Sequence, residues 1–286
     1  METAQTMKYS TLEVKQEGHI AHLILNRPDA MNSMNPDFWT EFPAAIRAID
    51  DAAEARVIVI SSTGKHFSAG MDLSVFLNMK EDFKGDPSRR AERMRRTVML
   101  LQDSFSAIEQ ARMPVIGAVQ GGAIGGAVDL LSACDMRYCT KDAFFTIKET
   151  QLGMTADVGT LQRLPKLIPI GVVKELAYTG RNFGAEESRA LGFVNQVFDD
   201  QQSMLEGVMK IAQQIAANSP LAVSGTKTMI NYAAEHTVSE SLNYMATWQA
   251  GMFQMEDVFK AMEAQKTQQL PDYPPLYGAV KKMNSQ

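Results

Sequence analysis

A layered α/β fold in which strands feed helices is predicted by three observations on this chain of 286 residues. The first is ARVIVISST (55–63), a short, nearly continuous apolar run of the kind found in strands covered on both faces. The second is its likeness to a later run, MPVIGAVQG, since each leads into a glycine-containing loop. The third is the helical pattern GGAVDLLSAC that follows the second loop. Strand, loop and helix recur with a helix between them, which predicts repeated units of one layered architecture.

Taken in order, TLEVKQEGHIAHLILN alternates apolar and polar residues and predicts a hairpin with its turn at EG. A helix is predicted from about Asp37 to Ala52, then the 55–63 strand and the loop GKHFSAGMDL. The charged segment GDPSRRAERMRRTVMLLQDSFSAIEQAR carries apolar residues at helical spacing and reads as a helix with a solvated face. DMRYCT, AFFTIKE and VNQVF add further short strands. From about Gln201 the pattern is helical and rich in methionine, so an α/β core (1–200) and a helical region (201–286) are expected. LPDYPPLYG near the end reads as a proline-stiffened extended segment.

Composition narrows the function. Apolar residues make up 45% and charged residues 21%, as in ordinary globular proteins. A net charge of −5 gives no global attraction for nucleic acid or an anionic membrane surface, so neither is expected as a partner. No apolar run approaches the roughly 18 residues of a membrane span. Cys134 and Cys139 read as buried thiols, and the four histidines form no metal-like cluster, so no metal site is expected. METAQTMKYS lacks a signal-peptide core and KKMNSQ carries no peroxisomal tripeptide, from which a cytoplasmic location is expected.

The glycines of GGAIGG (121–126) lack the spacing of a dinucleotide fingerprint, TGKH is no Walker loop, and HFSAG falls short of a nucleophile elbow. What they permit is close approach of a ligand to peptide N–H groups. A helix starting at Gly125–Gly126 would turn free N–H groups and a partial positive charge toward an anion or developing oxyanion. The SAGMD loop offers a matching donor at Met71. Three acids lie nearby in sequence. Asp129 is either an N-terminal charge on that helix or a catalytic acid, Glu149 ends the AFFTIKE strand, and Asp157 is placed to cap the next helix. Their joint meaning depends on convergence in space, which spacing leaves open.

LNRPDAMNSMN, HFSAGMDL, GGAIGGAVDLLSACD, FTIKETQLGM and GTLQRLPKLIP, spread in order over about residues 10 to 265, resemble the crotonase (enoyl-CoA hydratase/isomerase) family. The resemblance implies a crotonase-like spiral of repeated ββα units with a C-terminal helical region used in trimer assembly. It also implies an acyl-CoA substrate whose thioester oxygen is held by the N–H groups of Met71 and Gly126. Hydratases of the family carry paired glutamates where this chain has Asp129 and Glu149, and glycine is typical of them where it has Asp157. The three-acid pattern is similar to that of the branch that converts 3,5-dienoyl-CoA to 2,4-dienoyl-CoA in fatty acid β-oxidation. By that resemblance Asp157 is the base at carbon 2, Glu149 the acid at carbon 6, and Asp129 a hydrogen-bond partner that keeps Glu149 protonated. Ala127 departs from the pattern, where a third glycine is usual. The competing expectations are a 2-enoyl-CoA hydratase and a non-catalytic scaffold or RNA-binding member of the fold. Arg27, Lys65 and Lys266 are candidate coenzyme A contacts, and no cofactor is expected, coenzyme A being part of the substrate. His66 is expected to be structural, and a homotrimer or dimer of trimers is implied.

Overall fold

The computed structural model describes residues 9–72, 74–75 and 85–280; both chain ends read above for targeting signals, residues 1–8 and 281–286, and Leu73 of the HFSAGMDL motif lie outside them. The hairpin forms as strands β1 (Leu12–Glu17) and β2 (Ile20–Leu25), turning at Gly18, whose φ of 54° suits glycine. Helix α1 (Phe38–Ala52) follows, then β3 (Val57–Ser62), α2 (Pro87–Gln110) and β4 (Val115–Val119). The second glycine loop yields a short strand β5 (Gly122–Ile124) and helix α3 (Gly126–Ala133), with β6 (Met136–Thr140) and β7 (Phe144–Thr146) after them. The chain continues through α4 (Thr160–Arg163), α5 (Ile170–Thr179), β8 (Phe183–Gly184), α6 (Ala185–Ala190) and β9 (Gln196–Phe198). It then becomes helical: α7 (Gln201–Ala216), α8 (Pro220–Ala233), α9 (Val238–Met252) and α10 (Met255–Thr267).

One sheet has the order β1-β2-β3-β4-β6-β9, antiparallel only at the hairpin, and a second has the order β5-β7-β8. Along β3 the side chains alternate between two cores. Ile58 and Ile60 join the main core with Leu23, Leu25 and the α1 residues Phe42 and Ile46. Val57 and Val59 face the other way, with Ile116 and Ala118, onto Met204, Val208, Ala212 and Ala216 of α7. The first helix of the C-terminal region therefore covers the sheet itself. The next, α8, is tied to the sheet by Lys227, whose ammonium meets Ile108 O (2.9 Å), Met113 O (3.1 Å) and Asp135 Oδ2 (2.9 Å). Each of its three hydrogens has an acceptor, which is what a buried ammonium requires.

Two sequence oddities in this frame have local causes. Pro43 inside α1 has no N–H to offer the carbonyl one turn back, and Ser104 Oγ on α2 donates to that carbonyl, Trp39 O, instead (3.3 Å). Phe38, Trp39, Phe42 and Phe105 stack around this point and fix α2 against α1. The proline-rich tail runs extended, as its composition predicts. Its Tyr273 and Tyr277 carbonyls accept from Arg56 and Arg112, and Ala279 N donates to Asp51 O. The AFFTIKE strand is shorter than expected, ending at Thr146, so Glu149 opens a single 3-10 turn (Glu149–Leu152) rather than closing a strand.

Candidate active site

Backbone pairing brings the two glycine loops together. Phe67 N donates to Gln120 O, Ser68 N to Gly122 O and Ile124 N to Ser68 O, so the SAGMD loop lies alongside β5. Gly70 then packs on the start of α3, with φ +81°. A methyl group there would come within 2.4 Å of Ile124 O and 3.3 Å of Gly126 N. The far side of the loop is held by Met34, which donates to Gly70 O and accepts from Asp72 N. Gly117 on β4 makes room beneath α3: a methyl there would lie 2.7 Å from Leu131 Cδ2, so the Leu131 side chain packs directly on the strand backbone.

The result is two peptide N–H groups facing one space. A methyl on Gly126 would stand 3.9 Å from Met71 N. Among the described residues, neither N–H is taken up by a carbonyl or a side chain. Gly126 is the first residue of α3, where an N–H has no intrahelical partner and carries the helix's partial positive charge. His66, at the edge of this loop, accepts from Gly122 N–H through Nδ1 (2.9 Å) and braces the loop.

The three acids gather beside these donors. Gly125, at φ 54°, lies under Glu149: a methyl on it would be 3.2 Å from Glu149 Oε1. Glu149 Oε2 is buried with no hydrogen-bond partner. Asp129, one turn into α3, is 1% exposed, and its Oδ1 accepts from Thr160 N at 2.5 Å. Asp157 is half-buried just before that amide. Burial, chiefly, pushes Asp129 up to about 6, with Asp157's charge adding to it against the Thr160 bonds. Burial, then the Asp129 charge, pushes Glu149 up to about 7. Burial also raises Asp157. Acids crowded together and drawn partly out of water do not all ionise freely, and their titration belongs to the set.

Two expectations are corrected. Asp157 does not cap α4; Gly159 takes that position, and the Asp129 carboxylate reaches across to the helix's first amide. Nor does Asp129 hydrogen-bond Glu149 among the described residues. The open amide at a helix end is a firm donor that claims the Asp129 oxygen, leaving Asp129 to act on Glu149 through charge. Of the candidate coenzyme A contacts, Arg27 bonds Ser33 O (2.5 Å) and pairs with Asp72 (3.4 Å), beside Met71, while Lys65 and Lys266 are exposed. Of the residues that hold the Asp157 segment, Thr160 and Arg163 lie within the GTLQRLPKLIP motif, which gave them no role, and Gln102 had no motif to reveal it.

A carboxyl whose value is raised by folding stabilises the protein at low pH and loses that contribution as pH climbs through the raised value. For Glu149 the window runs from about 4.5 to about 7. Glu149→Gln is therefore expected to raise the melting temperature at pH 8, by on the order of 1–2 kcal/mol of stability after solvent screening, and to change it little at pH 4.5. Thermal scans of both proteins at the two pH values check this; an equal shift at both would refute the burial of an ionised Glu149.

The profile of the family described as enoyl-CoA hydratase/isomerase matches residues 15–273. The chain belongs to this family. It is 41% identical over 273 residues to the peroxisomal Delta(3,5)-Delta(2,4)-dienoyl-CoA isomerase of Arabidopsis thaliana, covering 94% of this chain and 98% of that one. It is 44% identical over 262 residues to the mitochondrial Delta(3,5)-Delta(2,4)-dienoyl-CoA isomerase of Homo sapiens, covering 90% of this chain and 79% of that one. Among solved structures, the enoyl-CoA hydratase of Bacillus anthracis superposes with a TM-score of 0.84 at 30% identity, over 92% of this chain and 99% of that one. The expected crotonase-like α/β fold is thus the observed one. The cytoplasmic expectation is overturned by the names of these two relatives, one peroxisomal and one mitochondrial. That expectation had rested on motifs sought at the two chain ends, and the names of the relatives outweigh it.

Proposed function

We propose that this family member converts 3,5-dienoyl-CoA to 2,4-dienoyl-CoA. The observation that supports the reading is a third acid, Asp157, close enough to Asp129 and Glu149 for its charge to act on both, beside the Met71 and Gly126 amides. Its likeness to isomerases of that name supports the reading.

The ionised Asp157 takes a proton from carbon 2. The electron pair spreads through the conjugated chain onto the thioester oxygen, where the Met71 and Gly126 amides stabilise it, each contributing about 3 kcal/mol. Glu149, kept protonated by burial and by the neighbouring Asp129 charge, delivers its proton to carbon 6. The two carbons are four bonds apart, roughly 5 Å in an extended chain, so separate acids serve the two ends. Each turnover leaves Asp157 protonated and Glu149 ionised, and exchange with water resets them.

The reaction needs no cofactor beyond the coenzyme A of the substrate, and its place is in fatty acid β-oxidation. Lys65 and Lys266 are the proposed contacts for coenzyme A phosphates, with Arg27 bracing the Met71 loop beside them. The core is taken as residues 1–200 and the helical region as 201–286. Exposed apolar side chains on α9 and α10, Leu242 and Phe259 among them, support assembly as a homotrimer or a dimer of trimers.

The purified protein is expected to turn 3,5-dienoyl-CoA into a product with the spectrum of a conjugated 2,4-dienoyl thioester. Rapid water addition to 2-enoyl-CoA with no shift of double bonds would replace this reading with the hydratase one. Salt-sensitive retention of RNA with neither activity would replace it with the non-catalytic one.

A further inference from the structure

Asp157 sits in a segment with no regular structure, yet its carboxyl must meet one carbon of a bound chain. What orients that segment comes from outside it. Gln102, on the inner side of α2, donates through Nε2 to Asp157 O at 2.7 Å. Arg163, at the end of α4, folds back and donates through Nη1 to Val158 O at 3.3 Å. The same guanidinium reaches α2, donating through Nη2 to Ser106 Oγ (3.2 Å) and Glu109 Oε2 (2.7 Å). Gly159 makes this possible. Its φ is +137°, and a methyl on it would lie 1.8 Å from Arg163 Nη1, so the guanidinium occupies the volume of an absent side chain. The segment is thus pinned at two successive carbonyls to one helix, and at the Thr160 amide to Asp129.

We propose that Gln102 and Arg163 are positioning residues that aim the Asp157 carboxyl at the substrate by clamping its backbone to α2. The inference rests on Asp157 being the base. Neither residue needs to touch the acyl chain. Both act through the direction of one Cα–Cβ bond, and a displacement of about 1 Å at a reacting group costs about 10²-fold in rate. The clamp also keeps the carboxyl out of bulk water, where its raised value would fall back.

The test uses the full chain with 3,5-dienoyl-CoA and compares Gln102→Met, Arg163→Met, Arg163→Lys and Asp157→Asn with the parent. Gln102→Met keeps volume and removes the donor. It is expected to lower kcat by about 10- to 100-fold with KM within about threefold, and to move the acid limb of the kcat profile to lower pH. Arg163→Lys, which keeps a donor and the charge facing Glu109, is expected to recover most of the loss seen in Arg163→Met. Should Arg163→Met fail to fold, Gln102→Met carries the test, since it changes one local bond. In the Asp157→Asn background Gln102→Met is expected to cost nothing further. A Gln102→Met protein with parental kcat and acid limb overturns the inference, as does one with lower kcat, lower melting temperature and an unmoved acid limb. If Asp157→Asn is itself fully active, the assignment of the base fails first; if it is inactive and Gln102→Met is not impaired, only the positioning role fails.

Discussion

Asp157→Asn is expected to lower the isomerisation rate by about 10²- to 10⁴-fold, the range for removal of a general base, while the affinity for a coenzyme A thioester changes by no more than a few-fold. The substitution keeps the side chain's size and leaves the backbone bonds of Asp157 O and Thr160 N in place. It removes only the ability to take up a proton. The amides of Met71 and Gly126, which would hold the thioester oxygen, are untouched. The pH profile gives the same argument a sign. A base must be ionised, so the parent's rate falls as pH drops through the raised Asp157 value; an acid must be protonated, so it falls again as pH rises past about 7 at Glu149. The Asn protein should lose the acid-side limb. Steady-state kinetics across pH, with thioester binding measured separately, check both parts; unimpaired turnover would remove Asp157 from the chemistry.

Gly70→Ala is expected to cost a comparable amount by a different route. The added methyl would meet a backbone carbonyl, Ile124 O, at 2.4 Å, and the residue would remain at φ +81°, where a side chain is strained. Neither conflict is relieved by turning a side chain, so the Met71 loop must lift from β5 and its amide leaves the space it shares with Gly126. Loss of one donor of this kind lowers kcat by about 10²- to 10³-fold. Gly126→Ala makes the control. Its methyl would press on the Met34 thioether at 3.0 Å, a flexible end that can give, so its melting temperature should stay nearer the parent's. Equal kcat in Gly70→Ala and the parent would show that Met71 N–H does not serve the reaction.

The hairpin, α1, the paired strand–loop–helix units and the helical region from Gln201 were legible because each has a local cause: alternation, apolar periodicity, or glycine where the backbone turns. The family was legible for a related reason, since its motifs are the loops that chemistry constrains. What each acid does locally was not. Asp157 reads as a helix cap and Glu149 as a strand end, and both readings failed against the 3-10 turn at Glu149–Leu152 and the reach of Asp129 to Thr160 N. Gln102 was invisible for the same reason: a glutamine on a charged helix carries no pattern, and its meaning comes from a carbonyl 55 residues away, while Arg163 stood in a recognised motif without a role.

By itself, then, the order of residues determined which segments become strands and helices and which two loops bare their amides, since these follow from interactions between near neighbours along the chain. The tertiary structure alone decided that three acids come close enough to feel one another's charge, that Asp129 speaks to Glu149 through charge rather than a hydrogen bond, and that α2 holds the backbone of Asp157. Burial and charge proximity are properties of the packed chain, and they set proton affinities that the individual residues do not possess.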